Sequence, residues 1–348
     1  MMKILHAADL HLDAPLQGHS EELRQALAAI PGQLFEICRE ERCHLVLLAG
    51  DLFDGAYSPY TYQNLRDALK AMGVPVLITP GNHDFCGPES PWMKEIWPEN
   101  VHIFKSSRIE SVDLPELDCR VYGAGFESMD CVPLLQGFRA EDTMGHTIGL
   151  FHGDPTQINS PYNPITKAQV LASNFDYLAL GHIHKADSFT AGKTLCAWPG
   201  FPMGKGYDEQ GEKGVYIVTL EDTPSLRFRP LNTPRFYDLQ AEPEHLSSVL
   251  PPVESMDYYR VTLTGCCEAP NLEKLQAEYA HLPNLILRDK TTRPVDIWGS
   301  LGEDSFEGVY FGLLRQVLEN APEEEKQEIL LAARISRQLL EGQEVVLP

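Results

Sequence analysis

The chain has 348 residues, a formal net charge of −22 and 43% hydrophobic residues. This length suits one large domain with one or two smaller ones, and the composition is that of a soluble globular protein. No stretch approaches the roughly 18 apolar residues that span a membrane, and the first residues turn polar too early for a signal peptide, so the expected location is cytoplasmic. The acidic charge disfavours autonomous nucleic-acid binding, which requires Lys and Arg to neutralise phosphates.

The first hundred residues alternate apolar runs with helix-like segments. We predict strands over 3–8, 45–49 and 74–79, a helix over 21–41 that is interrupted at Pro31-Gly32, and a helix over 62–72. This rhythm predicts a largely parallel sheet with helical cover.

From about 100 to 235 the predicted strands come closer together, over 101–104, 120–123, 147–151, 177–180, 195–198, 215–220 and 226–230. That number of strands favours two sheets packed face to face with helices outside. After 235 a small α+β module is predicted, with strands over 258–264 and 285–289 around a helix over 272–281. Two amphipathic helices follow, and the second ends at Gly342, a C′ glycine. The predicted domains are therefore 1–235, 236–300 and 301–348.

The eight cysteines are scattered apart from the adjacent Cys266-Cys267, and no Cys-x-x-Cys pair occurs. This pattern indicates neither a structural zinc site nor a disulfide framework.

Five short motifs rich in His, Asp and Asn each follow an apolar run. They are Ala8-Asp9-Leu10-His11, Gly50-Asp51-Leu52-Phe53-Asp54, Gly81-Asn82-His83-Asp84, Phe151-His152-Gly153 and Gly181-His182-Ile183-His184. Ligand sites in open α/β sheets lie at the carboxyl ends of strands, so these side chains are expected along one edge of the sheets. A lone His in such a position is usually structural, whereas five motifs in this order predict a metal site.

Seven of these residues have the chemistry of metal ligands: Asp9, His11, Asp51, Asn82, His152, His182 and His184. Carboxylate, amide and imidazole without thiolate suit Mn²⁺, with Fe²⁺ as the alternative, better than a structural zinc. Two ions need a shared carboxylate, and Asp51 is the natural choice. Two divalent ions, two carboxylates and one hydroxide leave a local charge of about +1, which attracts a phosphodiester despite the acidic chain.

His83 and Asp54 are predicted as a catalytic pair beside the ligands. An imidazole near the metals can give a leaving alkoxide its proton, and a carboxylate on the other ring nitrogen would orient it. Asp84 is predicted to hold loop geometry.

The ordered motifs Asp-x-His, Gly-Asp-x-x-Asp, Gly-Asn-His-Asp, His and Gly-His-x-His resemble the calcineurin-like metallophosphoesterase superfamily over about residues 2–220. The resemblance implies an α/β fold, a four-layer αββα sandwich, here with a small α+β capping domain and a helical C-terminal tail. It also implies two metal sites that share Asp51. One would use Asp9, His11, Asp51 and His184, and the other Asp51, Asn82, His152 and His182.

Within that superfamily the chain is similar to the SbcD/YhaO type of DNA repair exonuclease. The motifs that support this similarity are Leu12-Asp13, the Asp-Leu-Phe-Asp at 51–54, Trp198-Pro199-Gly200 and the segment 211–216. This resemblance implies Mn²⁺-dependent hydrolysis of DNA phosphodiesters, 3′→5′ exonucleolytic with some single-strand endonuclease activity. It further implies a homodimer that works with an SMC-like coiled-coil ATPase. The tail, including Phe306, Tyr310 and Leu314, is interpreted either as a docking element for that partner or as simple packing on the body.

The chain departs from the family at Phe201, where Pro-Gly-Ser is common, so a serine contact to phosphate is not expected here. Lys205 is either a contact to the DNA backbone or a solvated charge. Two other functions remain open: a phosphodiesterase or nucleotidase acting on small nucleotides, which would share the metal site, and a non-catalytic scaffold, which the full ligand set argues against.

Overall fold

The structure is a computed structural model that describes residues 1–16, 21–141, 143–294 and 296–342. The last six residues of the predicted region 301–348 lie outside the described residues. The described strands are β1 (Met2–Ala7), β2 (Leu45–Ala49), β3 (Val76–Thr79), β4 (Val101–Ile103), β5 (Glu110–Leu114), β6 (Cys119–Ala124), β7 (His146–His152), β8 (Tyr177–Gly181), β9 (Asp187–Ala191), β10 (Thr194–Trp198), β11 (Gly214–Leu220), β12 (Ser225–Pro230), β13 (Phe236–Ala241), β14 (Tyr258–Leu263) and β15 (Leu285–Asp289).

The described helices are α1 (Glu21–Ala28), α2 (Ile30–Glu41), α3 (Pro59–Met72), α4 (Pro91–Lys94), α5 (Lys167–Ser173), α6 (Leu272–Glu278), α7 (Phe306–Asn320) and α8 (Glu323–Leu340). The predicted break in the first helix is misplaced. The helices separate at Ala29, and Pro31 lies in the first turn of α2, where its missing N–H costs no helical hydrogen bond.

Two six-stranded sheets form the body, in the orders β12-β11-β1-β2-β3-β4 and β5-β6-β7-β8-β10-β9. A third sheet has the order β13-β14-β15. In the first large sheet, β1 to β4 are parallel, and in the second, β6, β7, β8 and β10 are parallel. The carboxyl ends of these strands carry the loops that bear the predicted ligands.

Alternating side chains of β2 explain the layering. Leu45 and Leu47 pack in the core between the two sheets, whereas Val46 and Leu48 pack in the core that includes residues of α1, α2 and α3. The outer face of the second sheet packs with Val170 of α5. Each fully buried Leu or Val contributes about 1.5–3 kcal/mol of burial free energy. The predicted αββα sandwich is therefore confirmed.

The chain divides into two compact units, Met1–Asp238 with Met256–Tyr259, and Leu239–Ser255 with Arg260–Pro348. The three domains predicted from the sequence stay a prediction. Within the described ranges, no helix combines the length and apolarity needed to cross a bilayer.

The helices α7 and α8 belong to the second unit and are joined by a buried cation. Arg337 of α8 donates to Glu307 at 2.6 Å, and its guanidinium lies 4.0 Å from the centre of the Phe311 ring. Tyr310 is half-buried, with its hydroxyl 2.9 Å from Ser336 Oγ. One face of α7 remains open to solvent as an exposed stripe of Phe306, Val309, Leu313 and Val317.

Candidate metal centre

The predicted ligands all lie at strand ends: Asp9 and His11 after β1, Asp51 after β2, Asn82 after β3, His152 at the end of β7, and His182 and His184 after β8. Carboxylate and imidazole atoms of five of them, together with His83, lie within 4.8 Å of one another in overlapping sets of three. The structure therefore brings residues from both sheets to one place.

Several of these residues adopt a backbone conformation that is unfavourable for L-amino acids. The φ angles of Asp9, His11, Asp51 and His182 are +53°, +44°, +52° and +94°. Such conformations cost roughly 1–3 kcal/mol each and cluster at functional sites. Hydrogen bonds between loops stabilise them, because Asp9 N–H donates to the Gly50 carbonyl and His11 N–H to the Asp51 carbonyl, both at 2.9 Å.

Two motif glycines leave space for ligand side chains. A Cβ on Gly81 would collide with Asp51 Oδ1, and one on Gly50 would collide with the His152 ring. Gly50 also has a φ of +86°. These contacts give a steric reason for the glycine that precedes Asp51 and Asn82 in the sequence motifs.

Asp9, His11 and His184 make up the first ligand group. His11 Nδ1 lies 3.0 Å from Asp54 Oδ1, and His184 Nδ1 lies 2.8 Å from Glu209 Oε1. Because ionised carboxylates only accept hydrogen bonds, both Nδ1 atoms carry the hydrogen and both Nε2 atoms present lone pairs. These Nε2 atoms face each other at 3.2 Å. Two such nitrogens at that separation need a shared proton or a shared cation between them, and about 3 Å also suits neighbouring ligands with bonds of about 2.1 Å to one ion.

Asn82, His152 and His182 make up the second ligand group. His152 Nδ1 donates to the Ala49 carbonyl at 2.9 Å, which turns its Nε2 toward Asn82 Oδ1, also at 2.9 Å. His182 Nδ1 lies 3.1 Å from the same amide oxygen. Two ring nitrogens and one amide oxygen therefore converge here as well.

Asp51 lies between the two groups. Its Oδ2 is 3.9 Å from His11 Nε2 and 3.3 Å from His152 Nε2, while its Oδ1 accepts the His83 N–H at 2.9 Å. One carboxylate oxygen thus fixes the loop and the other faces both groups. This is the geometry that a shared ligand requires.

The charges of the site are strongly coupled. Burial raises the pKa of Asp9. Burial lowers the pKa of His152, but the Asp51 carboxylate outweighs it and the pKa rises to about 9. Burial and the nearby His152 lower the pKa of His182 to about 4. Buried acids and imidazoles that alter one another's pKa in this way fit a site for cations.

His83 and Asp54, the predicted catalytic pair, are in contact. His83 Nδ1 lies 2.9 Å from Asp54 Oδ1, and the side chain is 48% exposed. The same Asp54 oxygen receives His11, and this hydrogen bond lowers the pKa of Asp54. Asp54 therefore orients a candidate metal ligand and a solvent-facing imidazole together.

Asp84 joins two motif loops, as predicted. Its carboxylate accepts the N–H groups of Gly81, Leu52 and Phe53 at 2.8, 2.8 and 3.2 Å. Burial and the Asp51 charge raise the pKa of Asp84 to about 7.

Sequence reasoning missed Glu209, the hydrogen-bond partner of His184. It lies in the loop before β11, in no recognisable motif, and also accepts the Lys205 N–H at 2.8 Å. The His184 hydrogen bond outweighs burial and lowers the pKa of Glu209 to about 2. Tyr162 was missed too, and its ring centroid lies 4.9 Å from that of His182.

Comparison with known proteins agrees with this geometry. The model of the calcineurin-like phosphoesterase family matches residues 2–186, more than half of the chain. The chain belongs to this family. Its members are metal-dependent hydrolases whose fold binds a dinuclear metal centre, and the two ligand groups with Asp51 fit such a centre. The individual ligand roles stay predictions.

Two relatives come from Bacillus subtilis (strain 168). The chain is 34% identical over 235 residues to the uncharacterized metallophosphoesterase YhaO, covering 62% of this chain and 57% of YhaO. It is 26% identical over 261 residues to the D component of the nuclease SbcCD, covering 62% of this chain and 66% of that one. Each match spans less than two thirds of the relative. A dimetal phosphatase structure from Danio rerio aligns with 66% of this chain and 96% of its own, with 12% identity and a TM-score of 0.45.

Proposed function

We propose that the protein is an SbcD/YhaO-type, Mn²⁺-dependent nuclease that hydrolyses DNA phosphodiester bonds by a two-metal mechanism in DNA repair. The observation that carries the proposal is the convergence of carboxylate, amide and imidazole groups from both ligand groups around Asp51, with a half-exposed His83 beside them. The oxygen and imidazole donors suit Mn²⁺, with Fe²⁺ as the alternative.

In this mechanism the first ligand group with Asp51 would hold one ion, and the second group with Asp51 the other. When bound, the metals supply Lewis acidity toward the phosphoryl group and a nucleophile at neutral pH. Asp54 and Glu209 orient the histidines of the first group, and the Ala49 carbonyl orients His152. Fixing the ring orientation in advance lowers the cost of assembling the site.

His83 supplies the proton of the leaving group. Its Nδ1–H donates to Asp54, so the proton to be transferred resides on Nε2. The Asp54 carboxylate orients the ring and keeps Nε2 pointing away from itself. A deoxyribose alkoxide is a poor leaving group, and protonation as the bond breaks makes it a better one.

DNA is favoured over small nucleotides by two observations. One relative is named as a nuclease, and the chain continues beyond the phosphoesterase body into a second compact unit, which an enzyme for small molecules has less need of. The alternative, a phosphodiesterase or nucleotidase acting on small nucleotides, uses the same metal site.

Purified protein with Mn²⁺ should be offered labelled linear duplex, labelled single strand and bis-p-nitrophenyl phosphate in parallel. The proposal expects all three to be hydrolysed. Digestion of the small ester alone would favour the alternative. Protein that holds its metals but hydrolyses none of the three substrates would indicate a scaffold.

We further propose that the protein is a homodimer that assembles with an SMC-like coiled-coil ATPase. The net charge of −22 makes a partner that grips DNA useful, and the exposed stripe of α7 supplies an apolar surface. Of the three residues first proposed for docking, Phe306 lies on this stripe, whereas Tyr310 and Leu314 are half-buried. Leu313→Glu should therefore abolish co-purification with a co-expressed ATPase, and Glu319→Gln should not.

A further inference from the structure

Among the described residues, one lysine at the rim of the metal centre has no hydrogen-bonded or ion-paired carboxylate at its side chain. The Lys205 ammonium lies 4.8 Å from the centre of the Phe201 ring. Within the described part of the chain it makes no hydrogen bond or ion pair. The chain has 50 acidic and 28 basic residues, so carboxylates outnumber the cations that could pair with them. An unpaired ammonium beside a phosphoesterase site is placed to receive an anion.

Phe201 holds the lysine against the first ligand group. Its ring is fully buried, with centroids 5.5 Å from His11 and 5.6 Å from His184. An ammonium over an aromatic face gains about 0.5–1 kcal/mol at an exposed site. The aromatic residue that replaces the family's common serine thus carries a cation instead of a hydroxyl.

The main chain of Lys205 is fixed by the same carboxylate that orients a ligand. Glu209 Oε2 accepts the Lys205 N–H at 2.8 Å, and Glu209 Oε1 receives His184 Nδ1 at 2.8 Å. Two contacts therefore fix the position of Lys205 relative to the metal centre, one at its side chain and one at its backbone.

We propose that Lys205 binds the phosphate adjacent to the scissile one, and so selects substrates with at least two phosphates. This inference rests on the proposed nuclease function. The ammonium packs on the Phe201 ring and contacts no ligand side chain, so the cation is offset from the ligand groups that would hold the ions. A neighbouring phosphate of a polynucleotide strand fits that offset, and a lone diester has nothing to place there.

The test compares Lys205→Met with wild type on bis-p-nitrophenyl phosphate, the dinucleotide TpT, which has one diester, and the trinucleotide TpTpT, which has two. The variant should raise KM for TpTpT about tenfold and leave the two single-diester substrates within about twofold. Lys205→Arg should keep most of the wild-type preference. Lys70→Met is the matched control, because this exposed lysine lies at the end of α3 beside a surface cavity, away from the ligand loops.

Binding gives a second readout. In a His83→Gln background, which slows turnover, the anisotropy of labelled oligothymidylate should show a slope of log affinity against log salt that Lys205→Met reduces by about 0.7. An unchanged slope, or an equal rise in KM for TpT and TpTpT, would overturn the inference while wild type still digests DNA. Wild type that cleaves only bis-p-nitrophenyl phosphate would instead refute the nuclease function and this inference with it.

Discussion

The two halves of the metal centre orient their histidines by different means. In the first ligand group, His11 and His184 donate to the side-chain carboxylates of Asp54 and Glu209. In the second, His152 donates to the main-chain carbonyl of Ala49. A carboxylate behind an imidazole makes it a more basic ligand than a carbonyl does. The orientation and basicity of the histidines are therefore set by side-chain carboxylates in the first group, whereas in the second group a main-chain carbonyl orients His152.

This difference predicts in which ligand group a single substitution most affects metal binding. The first group has carboxylates in direct and supporting positions, and removing one changes both charge and orientation. The second group has a neutral amide, Asn82, and a carbonyl that no side-chain substitution can remove. We therefore expect the first group to hold its ion more tightly, and to lose that advantage when a supporting carboxylate is neutralised.

The largest effect is expected where the two halves meet. Asp51→Asn removes the shared charge, yet the amide oxygen can still accept the His83 N–H. We expect kcat/KM for bis-p-nitrophenyl phosphate to fall at least about a thousandfold. Bound metal, measured by elemental analysis after desalting, should fall below two ions per chain.

The matched control is Asp113→Asn, a surface carboxylate paired with Arg120. It should keep both ions and full activity. If Asp51→Asn also retained two ions, the two ligand groups would not depend on a shared carboxylate. Each group would then bind its ion as a separate site.

A smaller effect is expected from a residue that belongs to neither group. His83→Gln should leave the metal content unchanged and lower kcat on DNA about a hundredfold, the usual scale of general acid catalysis. The loss should be much smaller with bis-p-nitrophenyl phosphate, because p-nitrophenolate leaves without a proton. Equal losses on both substrates would argue against proton donation, and loss of metal would place His83 among the ligands.

Much of the fold could be predicted because its signals are local. Strands such as β2 are continuous apolar runs that end at a motif, and both faces of β2 are buried. The strands β5 and β9 were not predicted. They are the two edges of the second sheet, and most of their residues are exposed and polar. Edge strands bury little, so their sequences carry little of the pattern that identifies a strand.

The candidate ligands could be predicted for a similar reason, since each lies in a short motif directly after a strand. Glu209 could not be, because its partner His184 is 25 residues away and only the folded loop joins them. The exposed face of α7 is a comparable case. Periodicity marks its apolar positions, but only packing reveals that Phe311 is buried while Leu313 is exposed.

Glu209→Gln tests the asymmetry between the halves directly. The neutral side chain supports His184 less well, so affinity for the first ion should fall about 10- to 100-fold, the usual scale for a supporting residue. Affinity for the second ion should not change. Calorimetric titration of metal-free protein with Mn²⁺ resolves the two events, and Asp208→Asn is the neighbouring control. Equal weakening of both ions would show that Glu209 acts on the fold and not on one half.

A buried histidine outside the centre provides the reference for both halves. His6 is fully buried, with Nδ1 2.7 Å from the Tyr177 hydroxyl and Nε2 3.0 Å from the Leu180 carbonyl. The carbonyl can only accept, so Nε2 carries the hydrogen and Nδ1 accepts from Tyr177. Neither nitrogen has a lone pair left for a cation, unlike those of His11 and His184. Burial lowers the pKa of His6 to about 3.

This pKa makes His6 a source of acid sensitivity that metals cannot relieve. Below the ordinary pKa of about 6.5 the unfolded chain takes up a proton that the folded chain refuses until about pH 3, so stability falls as the pH falls through that window. At pH 5 the loss from this residue is about 2 kcal/mol. His6→Gln keeps a donor and an acceptor but does not titrate, so its urea midpoint should change less between pH 7 and pH 5 than that of wild type. If the urea midpoints of wild type and His6→Gln changed equally between pH 7 and pH 5, His6 would already be charged in the folded protein. Its hydrogen bonds would then not distinguish it from the ligand histidines.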